Sequence, residues 1–301
     1  MSNVTRYSFL IALPLACVQQ RNRVLQCSLR TAGPHLVIGG EAGNWTPRPA
    51  LLAPYATRFT AALRMRILAR VTQFDPKPGT ITVDARTRVS ALLSAAPHAR
   101  ACLVLAHGAG AGMTHPFMEA VARELLVLKI ATLRYQFPYM ENHSRRPDPP
   151  ALCHATVRAA TAAAHQAMPE LPLFAGGKSF GGRMTSQAQA QSPLAHVRGL
   201  VFLGFPLHPP KQPAEARAKH LFEIDLPLLF LQGTRDAFAD PALLQAVIAR
   251  LGNAASLRLL PDADHSYHVP ARSGRNDEEV RAELTQALAE WIDGVIAAPA
   301  G

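Results

Sequence analysis

Cysteine is scarce in this 301-residue chain: Cys17, Cys27, Cys102 and Cys153 form no C-x-x-C pair and stand at no histidine spacing that suits zinc. Nothing in that set demands an oxidising compartment, so a cytoplasmic location is expected, with no metal and no cofactor. Long apolar runs are missing too. No stretch reaches the roughly 18 uninterrupted apolar residues of a membrane span, which excludes stable membrane insertion as an expectation. Acidic residues are almost absent from residues 1–70, where nine arginines face the single acid Glu41. That segment therefore carries +8 of the total net charge of +10, and residues 71–301 carry only +2.

The basicity belongs to a leader rather than to the body of the protein. Its arginines are scattered, with few aromatics between them, so no nucleic-acid partner is expected. Tyr7–Ala16 has the size of a signal-peptide core, and Cys17 behind it gives a partial lipoprotein pattern that Pro14 spoils. Export or lipid anchoring is the minor alternative, and an organelle transit peptide ranks lower. Gly39–Pro54 is rich in Pro and Gly and lacks apolar periodicity. Residues 1–70 are therefore expected to be a poorly structured extension, or a mis-assigned start with translation beginning near Met65. The folded domain is expected over 71–301.

What is present reads as a packed core: 49% of the residues are hydrophobic and only 17% charged. Thr80–Asp84 and Val89–Ser94 alternate like two half-buried strands. Ala101–Ala106 (ACLVLA) is continuously apolar and is followed by glycines and a helical pattern, as in a buried parallel strand feeding a helix. Ile130–Tyr135, Leu171–Ala175, Gly199–Gly204, Leu228–Gln232 and Leu257–Leu260 repeat the strand theme. Helical patterns lie between them, at Pro116–Lys129, Pro150–Met168, Arg183–Gln191, Pro241–Leu251 and Glu278–Ile296. The alternation predicts an α/β fold, a mostly parallel doubly wound sheet covered on both faces. No internal repeat interrupts it.

Between one of these strands and the next helix stands Gly177-Lys178-Ser179-Phe180-Gly181, a G-x-S-x-G. A serine held at a tight strand-to-helix turn projects its hydroxyl above the sheet, and only small residues fit two places to either side. The same text imitates the end of a phosphate-binding P-loop, but that motif requires glycine at position 172, where the chain has Pro172.

A serine hydroxyl is protonated at neutral pH and needs a base. The order Ser, Asp, His, each after its own later strand, points to Asp236 and His265. His268 is the rival base; Asp225 and Asp240 are the rival acids, the first on the wrong side of its strand and the second placed to cap a helix. Negative charge on a reacting carbonyl oxygen needs two amide donors. The candidates are the N–H of Phe180 and the loop His107-Gly108-Ala109-Gly110, with Ala109 as the donor and Gly110 close behind. Lys178 and Arg183 read as solvated charges at a helix edge, and attraction of an acidic substrate group is the second reading. Met113, Phe117, Phe137, Tyr139 and Phe205 read equally as acyl-pocket lining or as ordinary core.

Residues from about Gly79 to Trp291 resemble a small α/β-hydrolase-like family of bacterial proteins, related to testis-expressed protein thirty and to the third subunit of the NSL chromatin complex. Dienelactone hydrolases are more distant relatives. The resemblance rests on LVLAHGAGAGMTHPFM, RYQFPY, GGKSFGGRM, FLGFPLHPPKQP, FLQGTRDAF and DADHSY. It implies an α/β-hydrolase fold with a minimal lid, to which the short insert Pro206–Ile224 conforms. It also implies a triad of Ser179, Asp236 and His265, with His107-Gly108-Ala109 on the oxyanion loop. The expected function is a serine hydrolase acting on a small or medium ester, thioester or amide, working as a monomer or homodimer. The alternative is a non-catalytic interaction module, because the family includes scaffolding members.

Overall fold

The apolar strands are buried on both faces because each alternate set of side chains meets a different layer of helices. In β5 (Ala101–Ala106), Ala101, Leu103 and Leu105 join one core, while Cys102, Val104 and Ala106 join the other. The first core is closed by α1 (Pro116–Val127) and α6 (Asp277–Ala297), through Val121, Leu125, Leu284 and Leu288. The second is closed by α3 (Pro150–Ala167), α4 (Phe180–Gln191) and α5 (Pro241–Leu251), through Val157, Met184 and Val247. A run with no polar alternation is what such two-sided burial demands.

This computed structural model describes residues 75–298 and, before them, the backbone of two antiparallel strands, β1 (Leu15–Gln20) and β2 (Val24–Leu29). Otherwise, the expectations placed on residues 1–70 lie outside the described residues. The chain divides into two units, Met1–Arg66 and Ile67–Gly301.

In the second unit eight strands form one sheet, in the order β10-β9-β8-β7-β5-β6-β4-β3. Here β3 is Lys77–Thr82, β4 Arg88–Ser94, β6 Ile130–Tyr135, β7 Leu173–Lys178, β8 Val197–Leu203, β9 Leu228–Gly233 and β10 Ala255–Leu260. Only β3–β4 and β4–β6 are antiparallel; every other pair is parallel. The α/β, mostly parallel, doubly wound architecture is thus as expected. From β5 the chain steps outward to β6, returns through the short helix α2 (Pro138–Glu141) and α3, and lands on the other side of β5 as β7. That reversal of winding opens a crevice outside the carboxyl ends of β5 and β7, where ligands bind in open α/β sheets.

Element ends differ from the sequence reading in two places that bear on function. Strand β7 runs on through Gly176, Gly177 and Lys178 rather than stopping at Ala175, and α4 begins at Phe180 rather than Arg183. Within 206–224, residues Ala216–Glu223 form a 3-10 helix lying against α4, so no separate cap is built there.

Candidate active site

The tight turn joining β7 to α4 is made possible by its glycines, and strand β5 is what requires them. A Cβ at Gly177 would lie 2.3 Å from the Ala106 carbonyl oxygen, and one at Gly181 would lie 2.5 Å from that of His107. The two glycines are pressed against the end of β5. Ser179 between them adopts φ +49° and ψ −111°, in the left-handed region that L residues avoid. Its N–H donates to the Leu203 carbonyl at 3.0 Å, and its own carbonyl accepts the first helical bond of α4 from Arg183 at 3.1 Å. The backbone is therefore tied on both sides of the strained residue.

The hydroxyl that this turn projects meets His265: Ser179 Oγ and His265 Nε2 are 2.8 Å apart. On the far side of the ring, Nδ1 lies 2.7 Å from Asp236 Oδ2. The Asp236 side chain is fully buried, and it also accepts from Gln232 Nε2 at 2.5 Å and from the Phe238 N–H at 2.8 Å. An ionised carboxylate only accepts, so Nδ1 carries the ring proton and Nε2 turns a lone pair toward the serine. The ring stays about one-fifth exposed and rests against Phe238, centroids 4.3 Å apart.

Two loops hold this arrangement. The exits of β9 and β10 are joined by Arg235 N–H to Ala263 O at 2.9 Å and by Asp262 N–H to Thr234 Oγ1 at 2.9 Å. Asp264 then closes the histidine loop, accepting from Ser266 and His268 N–H at 2.7 and 3.0 Å. The rivals fall elsewhere. His268 is exposed and paired with Asp277 at 3.0 Å. Asp240 caps α5 through the N–H groups of Ala242 and Leu243, and Asp225 is exposed ahead of β9.

At the end of β5 the loop His107–Gly110 faces the elbow. His107 is buried, and burial pushes its imidazole down to about 4, so it is neutral. Its Nδ1 lies 2.8 Å from the Gly108 carbonyl, and Nε2 accepts from the Phe137 N–H at 3.0 Å. Tyr139 Oη donates to the Ala109 carbonyl at 2.9 Å, Gln136 Oε1 accepts the Met113 N–H at 2.9 Å, and Arg134 donates to the Met113 carbonyl at 3.0 Å. The Arg134–Tyr139 segment thus acts as a splint for this loop. The sequence marked that segment only as text to be recognised; its duty depends on backbone acceptors, which no residue type advertises. Among the described residues, no hydrogen bond uses the amide hydrogens of Ala109 and Phe180.

Phe180 is half-buried, edge-on to Phe137 and Tyr139 at 5.5 and 6.2 Å between centroids. Met113, Phe137, Tyr139 and Phe205 are buried, and Phe117 stacks on Tyr267 at 5.3 Å. Lys178 departs from expectation. It is not a solvated helix-edge charge but the last residue of β7, half-buried, with its ammonium donating to the His265 carbonyl. Arg183 is likewise half-buried in the first turn of α4. Among the described residues, no three His, Cys, Asp or Glu side chains gather as a metal site, and no helix is long and apolar enough to cross a membrane.

A strand-turn-helix elbow at the switch point of a mostly parallel sheet defines an α/β hydrolase-like protein. The family model described as an alpha/beta hydrolase domain matches residues 99–293, and the chain belongs to that family. A dienelactone hydrolase from Anabaena variabilis superimposes with a TM-score of 0.59 at 19% identity, covering 73% of this chain and 97% of its own. An α/β serine hydrolase homologue from Coxiella burnetii gives 0.57 at 16% identity, over 70% and 97% of the two chains. A lidless α/β serine hydrolase from Xanthomonas campestris gives 0.56 at 18%, over 75% and 97%. At these identities the likeness is one of fold.

Proposed function

We propose that this chain is a serine hydrolase that cleaves a small or medium ester, thioester or amide through an acyl-enzyme on Ser179. The observation that carries the reading is the unbroken hydrogen-bonded chain from Asp236 through His265 to Ser179. In the first step the Ser179 oxygen bonds to the substrate carbonyl carbon while its proton passes to His265 Nε2. The charge arriving on the carbonyl oxygen is met by the N–H groups of Ala109 and Phe180, which have no acceptor among the described residues. The bond to the leaving group then breaks, and the leaving group takes the proton back from Nε2. Water repeats the sequence on the acyl-enzyme, giving up a proton to His265 and restoring Ser179. Asp236 keeps the ring in the required tautomer and stabilises its charged form.

One of the structural neighbours is a dienelactone hydrolase, which adds lactones to the esters worth screening. The motifs of the histidine and oxyanion loops favour kinship with the small bacterial group related to testis-expressed protein thirty, working in the cytoplasm as a monomer or homodimer. Residues 1–70 are read as accessory to a hydrolase domain over 71–301. The test is labelling with a fluorophosphonate probe, followed by mass spectrometry. The label is expected on Ser179, and Ser179→Ala is expected to abolish both labelling and p-nitrophenyl acetate turnover. A folded protein that remains unlabelled at Ser179 would transfer the weight to a non-catalytic interaction module.

A further inference from the structure

The residue before the proposed nucleophile has no part in the mechanism above, yet its side chain reaches three of the loops that build the site. The stem of Lys178 passes under the oxyanion loop, where a Cβ on Gly108 would lie 3.7 Å from its Cγ. Its ammonium donates to the carbonyl oxygen of His265 and stands 5.1 Å from the centre of the Tyr267 ring. Gly204, at the exit of β8, marks where the head group sits. A Cβ on that residue would lie 3.0 Å from Lys178 Nζ, 3.4 Å from Asp236 Oδ2 and 3.5 Å from His265 Nδ1. One point in space thus touches the ammonium and both ends of the Asp236–His265 hydrogen bond. Gly204 has φ +70°, so it suits the position conformationally as well.

We infer that Lys178 is a positioning residue for His265: its ammonium fixes the backbone of the histidine loop and places a positive charge beside the Asp236–His265 pair. This rests on the hydrolase reading and deepens it. A lysine carried to the end of a central strand costs desolvation, which the His265 carbonyl and the nearby carboxylates offset in part. Burial pulls the ammonium down to about 8, opposed by the charges of Asp236 and then Asp264. The groups facing it are Asp236 from the β9 exit, with Asp264, His265 and Tyr267 from the β10 exit. Tyr267 stays neutral, its phenol pushed well up by burial while Oη donates to the Leu231 carbonyl at 2.8 Å. At neutral pH the lysine is therefore mostly charged. A cation beside an imidazole disfavours the imidazolium.

The test uses the full chain, with p-nitrophenyl acetate as substrate, and compares Lys178→Met, Lys178→Gln and Lys178→Arg. The methionine and glutamine variants are expected to lose about tenfold or more in kcat with KM little changed, because a misplaced base slows chemistry rather than binding. The acid limb of kcat/KM is expected to move up by about half a pH unit or more, and Lys178→Arg to restore it in part. Melting temperatures of the neutral variants are expected to hold or rise, which separates positioning from a merely structural role. Histidine-labelled NMR titration of His265 in the same variants gives a readout that needs no turnover. If the wild type hydrolyses esters while the variants keep its kcat and acid limb, the role assigned to Lys178 is overturned and the hydrolase reading stands. If the wild type is inert and unlabelled by fluorophosphonate, the hydrolase reading falls. The NMR titration then decides for Lys178: an upward shift upholds the placement of its charge, and an unchanged His265 overturns it.

Discussion

Ser179 carries an energetic cost that the proposed nucleophilic role accounts for, since φ +49° disfavours any side chain by about 1–2 kcal/mol. Ser179→Gly should relieve that strain and raise the unfolding midpoint, whereas Ser179→Ala should lose the hydroxyl and keep the strain. A urea titration of the two variants side by side checks this, and equal midpoints would argue against stored strain. A second residue-scale consequence belongs to His107. Its folded pKa of about 4 lies below the unfolded value of roughly 6.5. The unfolded chain therefore binds the proton first, and the stability tied to the neutral ring is full above about pH 6.5 and is lost as pH falls toward 4. His220, also pushed down to about 4 by burial and then by Arg183 and His154, acts in the same window. The wild type should lose up to about 3 kcal/mol per such ring across it. His107→Asn should flatten the dependence, as read from urea midpoints at pH 7 and pH 4.5.

At the scale of elements, the elbow works because a strand, a turn and a helix are compressed against the end of β5. Gly177→Ala would drive a methyl group to 2.3 Å from a backbone oxygen that cannot swing away. A loss of about 3 kcal/mol or more is expected, while Gly79→Ala on edge strand β3, with nothing within 4 Å, should stay within about 0.5 kcal/mol. Equal effects in thermal melts would show that the elbow is looser than its geometry. The same compression explains which parts of the site the sequence could display. The apolar runs of β5, β8 and β9 announced themselves because both of their faces are covered. The end of β7 did not: glycine is depleted in strands, yet Gly176 continues one because the Val201 carbonyl leaves no room for a Cβ. The start of α4 is hidden in the sequence because Gly181 and Gly182 are poor helix formers, and the 3-10 helix Ala216–Glu223 has no apolar period long enough to register. Ser179, Asp236 and His265 were legible from their order after successive strands. Lys178 was not, because its partner is a main-chain oxygen 87 residues away.

On the whole-molecule scale, the sheet and the charge are distributed differently along the chain. All eight strands of the main sheet, and every group of the proposed site, lie between residues 77 and 297. The excess charge lies before them, +8 within residues 1–70 against +2 in the rest. A nearly neutral body leaves no general field to steer an acidic substrate toward the crevice, so turnover of a neutral ester should depend little on the leader or on salt. Removing residues 1–70 is therefore expected to leave kcat/KM for p-nitrophenyl acetate within about twofold, together with fluorophosphonate labelling of Ser179. Adsorption to a cation exchanger should change far more, with the shortened chain eluting at much lower salt. The two measurements separate the roles: lost turnover in a shortened chain that still melts cooperatively would mean that the basic segment completes the site, and that the proposed boundary at residue 71 cuts through a functional unit.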